Sequence, residues 1–294
     1  MLSSLLLSLM SQCSCPCPDA GVIPDTGAIE QPDAGFVVDA GTQPTGSLGC
    51  GKLPPSSVNG SFTVNLIVNG VSRSVLVDIL PSYNKDVPGS LTIGFHGQSW
   101  NGVGLKNAEP YVEARAIATS ENGIFVFPSA VGGTWNLATN GSDVLLFDAI
   151  TSYVKSNFCI DQTKQYIYGR SYGAAFSRTL MIARQTELRA VGMVIPYLPN
   201  WDANTAPISL FLSATTRDPT VGVTNARNLR DRQAFINGCI PQNPTPPAVY
   251  NQSITTAYRC TLKSLIYNES DIGLQHNPFP GLGIPMWNSF ISAQ

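Results

Sequence analysis

Gly169-Arg170-Ser171-Tyr172-Gly173 is the stretch of this chain whose residue types and spacing point most directly to chemistry. Tyr166–Tyr168 before it reads as a strand, and Ala174–Thr186 after it reads as a helix. A serine at such a strand-to-helix turn projects its hydroxyl above a sheet, and the flanking glycines let strand and helix approach without a Cβ clash. A serine hydroxyl becomes a nucleophile only when a neighbouring base takes its proton. The chain has only two histidines, His96 and His276. His96, in Phe95-His96-Gly97-Gln98, follows a buried strand upstream of the serine. Its loop is placed to turn backbone N–H groups toward a developing oxyanion. His276 lies downstream, after the last strand and before the final helix. By elimination it is the base, with Ser171 the nucleophile.

The third member is a carboxylate that orients the imidazole. Asp218 follows the strand Ser209–Leu212 in Thr216-Arg217-Asp218-Pro219-Thr220 and is the choice. Asp202 comes too soon after the preceding strand, and Asp231 lies within a helix between Arg230 and Arg232, where a solvated ion pair is expected. Asp202 and Asp271 are the alternatives should Asp218 fail. The oxyanion hole is expected from the backbone N–H of Tyr172 and that of Gln98. Trp100 and Trp135 sit in Gly-rich loops on the same side. Each either stacks on an aromatic acyl group or sugar ring of the substrate, or packs beneath its loop.

These residues need a scaffold. Phe62–Val68 and Ser72–Leu80 alternate apolar and polar residues around Asn69-Gly70, the signature of a hairpin with a type I′ turn. Short apolar runs follow at Leu91–Phe95, Ile124–Phe127, Tyr166–Tyr168, Val191–Ile195, Ser209–Leu212 and Ser264–Tyr267. Between them lie helical segments. Asp143 is placed to cap one that runs to about Phe158 with Val144, Phe147, Ile150 and Val154 on one face, and Thr224–Ile236 is another. A hairpin followed by β-α-β alternation predicts an α/β domain, with a mostly parallel central sheet and helices on both faces.

The 294-residue chain is 43% hydrophobic and 12% charged, enough apolar content for one large domain plus an appendage. Residues 1–17 resemble an export signal without its basic start, and Cys13, preceded by a bulky Gln12, is the candidate for a lipid tether to a membrane. Residues 18–49, with Asp-Ala-Gly recurring at 19–21, 33–35 and 39–41, predict a disordered acidic linker. The domain then spans 50–294. Outside the first 51 residues there are 17 basic and 14 acidic residues, a surplus too small for a nucleic-acid partner; a preference for an anionic polymer is the weaker reading of it, no functional meaning the stronger. Cys50, Cys159, Cys239 and Cys260 lack any C-x-x-C spacing. With so few histidines they argue against zinc and for two disulfides in an oxidising compartment; four cysteines permit three connectivities, of which proximity in sequence favours Cys239–Cys260 with Cys50–Cys159. No metal or organic cofactor is implied.

Residues 50–294 resemble the carbohydrate-esterase family of feruloyl esterases, acetylxylan esterases and polyhydroxybutyrate-depolymerase-like esterases. The matching stretches are Gly49-Cys50-Gly51-Lys52, Gly94-Phe95-His96-Gly97, Gly133-Thr134-Trp135, Asp143-Val144 with Phe147-Asp148-Ala149, and Tyr166-Ile167-Tyr168 running into the serine turn. They continue with Asn237-Gly238-Cys239 and a last helix at Trp287. The chain departs from the family's pattern in three places, one being the absence of a cysteine that the family often has in the strand before the late histidine. The chain also has Ser213-Ala214-Thr215 where His-Gly is usual before the acid, and Leu274-Gln275-His276-Asn277-Pro278 where Gly-Gly-His and an aromatic residue are frequent. The resemblance implies an α/β-hydrolase fold and a secreted serine esterase. It would act on ester-bearing plant cell-wall polysaccharide or, alternatively, on polyester. A non-catalytic carbohydrate-binding domain is the rival of another class, but binding alone requires no Ser171, Asp218 and His276 set.

Overall fold

The computed structural model describes residues 46–293, apart from 56–59, 109, 119–121, 200–204, 242–247, 273–275 and 279. The chain divides into Met1–Gly41 and Thr42–Gln294, and every described residue belongs to the second unit. The proposed signal, Cys13 and most of the linker therefore lie outside the described residues. Ser47 and Gly49, assigned to the linker from composition, are instead packed against the domain, while Leu48 between them is exposed. Ser47 is buried with its Oγ donating to the Phe158 carbonyl at 2.6 Å, and the Gly49 N–H donates to Lys155 at 2.9 Å.

Among the described residues, nine strands form one sheet: β1 Gly60–Val68, β2 Val71–Ile79, β3 Gly89–Phe95, β4 Gly123–Pro128, β5 Ile160–Arg170, β6 Ala190–Val194, β7 Ser209–Thr215, β8 Ser253–Tyr258 and β9 Leu265–Ser270. Their order is β1-β2-β4-β3-β5-β6-β7-β9-β8. The run from β4 to β9 is parallel, while β1, β2 and β8 pair antiparallel. Asn69 and Gly70 take φ of 49° and 76°, the two positive values a type I′ hairpin requires. β3, β4, β6 and β7 are buried at every position, because crossover helices cover both faces.

Among the described residues, six α-helices form the cover: α1 Gly102–Lys106, α2 Tyr111–Ile117, α3 Ser142–Asn157, α4 Tyr172–Ala183, α5 Thr224–Ile236 and α6 Gly283–Ile291. On one face, Val144, Phe147, Ile150 and Val154 of α3, Phe176 and Leu180 of α4, and Leu229 of α5 bury against the sheet. On the other, Leu105, Tyr111, Met286, Trp287 and Phe290 from α1, α2 and α6 meet Tyr166, Tyr168 and Phe211. Asp143 does not cap α3. The N-cap is Gly141, and the Asp143 carboxylate in the first turn pairs with Arg73 at 2.6 Å and accepts the Asn136 N–H at 2.6 Å. The carboxylate thus ties β2 and the preceding loop to the positive end of the helix.

The disulfides Cys50–Cys159 and Cys239–Cys260 are both formed. The first fixes the start of the domain to the residue just before β5. The parallel register brings Phe95 level with Gly169, Arg170 with Val194, Val194 with Ser213, and Thr215 with Ser270. The loops that leave β3, β5, β6, β7 and β9 consequently emerge at one edge of the sheet. This is the edge where open α/β sheets place their sites.

Candidate active site

Ser171 is the hinge between β5 and α4, with φ 54° and ψ −117°. A serine pays a steric penalty of about 1–3 kcal/mol in such backbone, so its neighbours must hold it there. The Ser171 N–H donates to the Val194 carbonyl at 3.0 Å, and the Tyr197 N–H donates to the Ser171 carbonyl at 3.1 Å. The strand must also pass close to the helix. A Cβ on Gly169 would lie 2.1 Å from the Gly173 carbonyl oxygen, and one on Gly173 would lie 2.0 Å from that of Phe95. Both glycines of the motif are thus required by backbone contact.

The Ser171 hydroxyl lies 2.6 Å from His276 Nε2, and His276 Nδ1 lies 2.6 Å from Asp218 Oδ2. The other Asp218 oxygen accepts the N–H groups of Thr220 at 2.8 Å and Val221 at 3.2 Å. The carboxylate is 1% exposed and the imidazole 26%. With the acid sealed from water, Nδ1–H donates to it and Nε2 turns its lone pair to the serine. This arrangement can remove the serine proton and hold the imidazolium that results.

His96 has a different task. It is fully buried, its Nε2 accepts the Ala130 N–H at 3.0 Å, and so Nδ1 carries the proton donated to the Gly97 carbonyl at 2.7 Å. Burial holds this imidazole below the usual histidine range, against the raising effects of the Gly97 bond and the Asp143 charge. The ring braces the next four residues. Gly97 to Trp100 form a tight turn closed by Trp100 N–H to Gly97 carbonyl at 3.2 Å, with Ser99 at φ 62°. Gln98 occupies the second position of that turn, whose N–H takes no part in the closing bond. Tyr172 opens α4, where an N–H has no intrahelical acceptor. Gln98 and Ser171 border the same cleft, of about 410 Å³.

No protein-family model matches the chain. It is 32% identical to feruloyl esterase D of Neurospora crassa over 209 residues, covering 67% of this chain and 70% of that protein. It is 31% identical to feruloyl esterase C of Emericella nidulans over 208 residues, covering 69% and 73%. The chain belongs to the feruloyl esterase family. Among solved structures, it superposes on an acetyl xylan esterase from Aspergillus awamori with a TM-score of 0.60 and 14% identity, over 79% of this chain and all of that one. It superposes on a ferulic acid esterase from Anaeromyces mucronatus with a TM-score of 0.56 and 16% identity, over 82% and 93%. These matches carry the α/β-hydrolase fold, and the family makes the protein a serine esterase.

The esterase brings Gln98, Trp100, Ser171 and His276 to one cleft, with Asp218 behind the histidine. Trp135 is a correction. It is 2% exposed, stacked on Phe176 at 5.1 Å and donating Nε1–H to the His96 carbonyl at 2.8 Å, so it braces the turn that follows β3 from within the core. Trp100 is 39% exposed and borders the cleft. Asp231 pairs with Arg230 as expected, and Asp271 is held by Arg217 at 2.8 Å and Thr216 at 2.6 Å, away from either histidine's bonds. Asp202 falls outside the described residues. Among the described residues, no cluster of three or more His, Cys, Asp or Glu side chains could hold a metal ion.

Sequence reasoning missed two groups. Arg170, the variable residue of the serine motif, donates from Nη2 to the His276 carbonyl at 3.1 Å and to Asn277 Oδ1 at 2.7 Å. Tyr197 follows Ile195, which has φ 43°, and stacks on Tyr172 at 5.5 Å, leaving an aromatic pair on the residue next to the nucleophile. Neither has a spacing signal, because both contacts join different loops.

Proposed function

We propose that this esterase removes feruloyl or acetyl groups from plant cell-wall polysaccharide through an acyl-enzyme on Ser171. The observation that carries the reading is the unbroken chain of hydrogen bonds from Asp218 through His276 to Ser171, each link 2.6 Å long, on a strained strand-to-helix turn. The names of the relatives support the acyl and polysaccharide assignments, and the open cleft suits a polymer.

Ser171 Oγ attacks the ester carbonyl as His276 Nε2 takes its proton. Charge builds on the carbonyl oxygen and is met by the N–H groups of Tyr172 and Gln98. When the C–O bond to the alcohol breaks, His276 returns the proton to that oxygen and the acyl group stays on Ser171. A water then attacks the acyl carbon, giving a proton to His276, and collapse releases the carboxylic acid and the free serine. Trp100 and the Tyr172–Tyr197 pair are the surfaces for a planar acyl group or a sugar face. The disulfides fit action outside the cell, and no described helix is long and apolar enough to cross a membrane.

A turnover panel of methyl ferulate, acetylated xylan, p-nitrophenyl acetate and hydroxybutyrate oligomers tests this. Turnover of the first two is expected, with Ser171→Ala reducing it at least a hundredfold while the fold persists. Hydrolysis confined to hydroxybutyrate oligomers would transfer the protein to the polyester class.

A further inference from the structure

Arg170 is a cation that the reaction described above does not use. Its side chain is almost wholly enclosed, at 6% exposure. Arg73, Arg115, Arg184, Arg217, Arg227 and Arg230 each have a carboxylate within 4.0 Å. Arg170 has none among the described residues, and its partners there are a carbonyl, an amide oxygen and the face of Trp100, 4.4 Å from the guanidinium carbon. Both Nη2 protons are thereby engaged. The Nε and Nη1 protons have no acceptor among the described residues, yet neither nitrogen is sealed from solvent. His276, Asn277 and Trp100, the residues the guanidinium touches, all border the cleft that holds Ser171. Among the described residues no acidic side chain borders that cleft, and Arg170 is the Lys or Arg side chain that does.

A desolvated cation without a counter-ion is unfavourable, and burial lowers the Arg170 pKa for that reason. An anion entering the cleft would relieve this through charge-assisted hydrogen bonds, about twice as strong as neutral ones. The surplus of 17 basic over 14 acidic residues beyond position 51 acts in the same direction at longer range.

We propose that Arg170 is a specificity residue that binds a carboxylate on the substrate, so that the enzyme selects esters whose acid or alcohol half bears a negative charge. The inference rests on the reading of Ser171 as the nucleophile of an esterase. The carboxylate has two possible sources, an acidic sugar on the alcohol side or a second carboxyl on the acyl side.

Matched pairs of esters separate these sources and also isolate the role of Arg170. The alcohol pair is O-acetyl methyl galacturonoside against O-acetyl methyl galactoside. The acyl pair is the monomethyl ester of glutaric acid against methyl pentanoate. Wild-type enzyme should favour the charged member of at least one pair in kcat/KM, and salt should shrink the preference. Arg170→Gln should cost the charged ester about 10- to 100-fold more than its neutral partner, mainly in KM, and Arg170→Lys should retain most of the preference. The ratio within a pair cancels any general damage from a displaced His276 loop. Equal losses on both members, or no wild-type preference in either pair, would assign Arg170 to loop positioning alone. If Arg170→Gln fails to fold, the wild-type preference, its salt dependence and Arg170→Lys still decide. Turnover of the neutral esters reports separately on the esterase reading. Without turnover of any ester, that reading falls and this inference falls with it.

Discussion

Two residues of the same type, in one protein, are given opposite tasks by their surroundings. His96 is enclosed and bonded on both nitrogens to backbone, so it serves as a neutral brace. His276 faces the cleft and bridges an acid to a hydroxyl, which is what a proton carrier needs. The acid's part is testable on its own. Asp218→Asn preserves size and burial but presents an amide that can donate to Nδ1, which favours the wrong imidazole tautomer. Turnover of methyl ferulate should drop by about three to four orders of magnitude while the circular dichroism spectrum is retained. Near-wild-type activity in that variant would move the acid to another residue. The hydrogen-bonded chain from Asp218 through His276 to Ser171 was legible at this scale because only two histidines exist and chain order separates them. Trp135 was not: a tryptophan in a Gly-rich loop reads alike whether it faces the cleft or, as here, bonds to the His96 carbonyl beneath it. Arg170 was invisible because its partners, His276 and Asn277, lie more than a hundred positions away.

At the scale of elements, the serine motif works through backbone contact between β3, β5 and α4. Strands buried on both faces were readable as apolar runs, and the hairpin was readable from Asn69-Gly70. β8 was not, since its Ser-Ile-Thr-Thr-Ala-Tyr run at the sheet edge buries mainly its last residue and carries little apolar signal. α1, at five residues, is too short to show a helical period. Asp143 looked like a cap because an acid beside a periodic apolar run usually is one, but a buried arginine from β2 claims it. The close approach yields the next prediction. A methyl group at Gly173 would sit 2.0 Å from the Phe95 oxygen and 2.6 Å from the His96 oxygen, both main-chain atoms that no side-chain rotation can move. Gly173→Ala must therefore push α4 away from the end of β3, which leads into the Gly97–Trp100 turn proposed to hold the oxyanion. The expected result is a loss of at least 2 kcal/mol in urea-unfolding stability, together with a fall in kcat of at least a hundredfold. An unchanged urea midpoint would show that the strand and helix do not pack this closely.

Across the whole molecule, buried titratable groups fix how the fold responds to acid, in two windows. The first belongs to His96. In the unfolded chain a histidine titrates near its ordinary 6.5, whereas burial holds the folded imidazole lower. Above 6.5 neither state takes up the proton, and the stabilisation is complete. As pH falls below that value the unfolded chain binds a proton that the folded one refuses, so stability declines with a slope of up to about 1.4 kcal/mol per pH unit until the folded imidazole titrates. The second window opens lower and belongs to carboxylates. Burial alone would raise Glu269, but hydrogen bonds from Arg227 and Tyr267 outweigh it and hold its pKa below the ordinary 4.5. Asp78 is likewise raised by burial yet held below 3.8 by bonds from Ser61, Tyr111 and Arg115. Both contribute stability that is present above those ordinary values and lost as pH falls through their lower folded ones. Urea midpoints measured from pH 8 to pH 3 should accordingly show a decline beginning near 6.5 and a steeper one below about 4.5. His96→Asn separates the two windows. It should lower stability at pH 8 by loosening the loop, flatten the upper window, and leave the lower one intact. If wild type and His96→Asn decline in parallel between pH 6.5 and 5, the upper window belongs to another group and His96 is not the buried neutral brace described above.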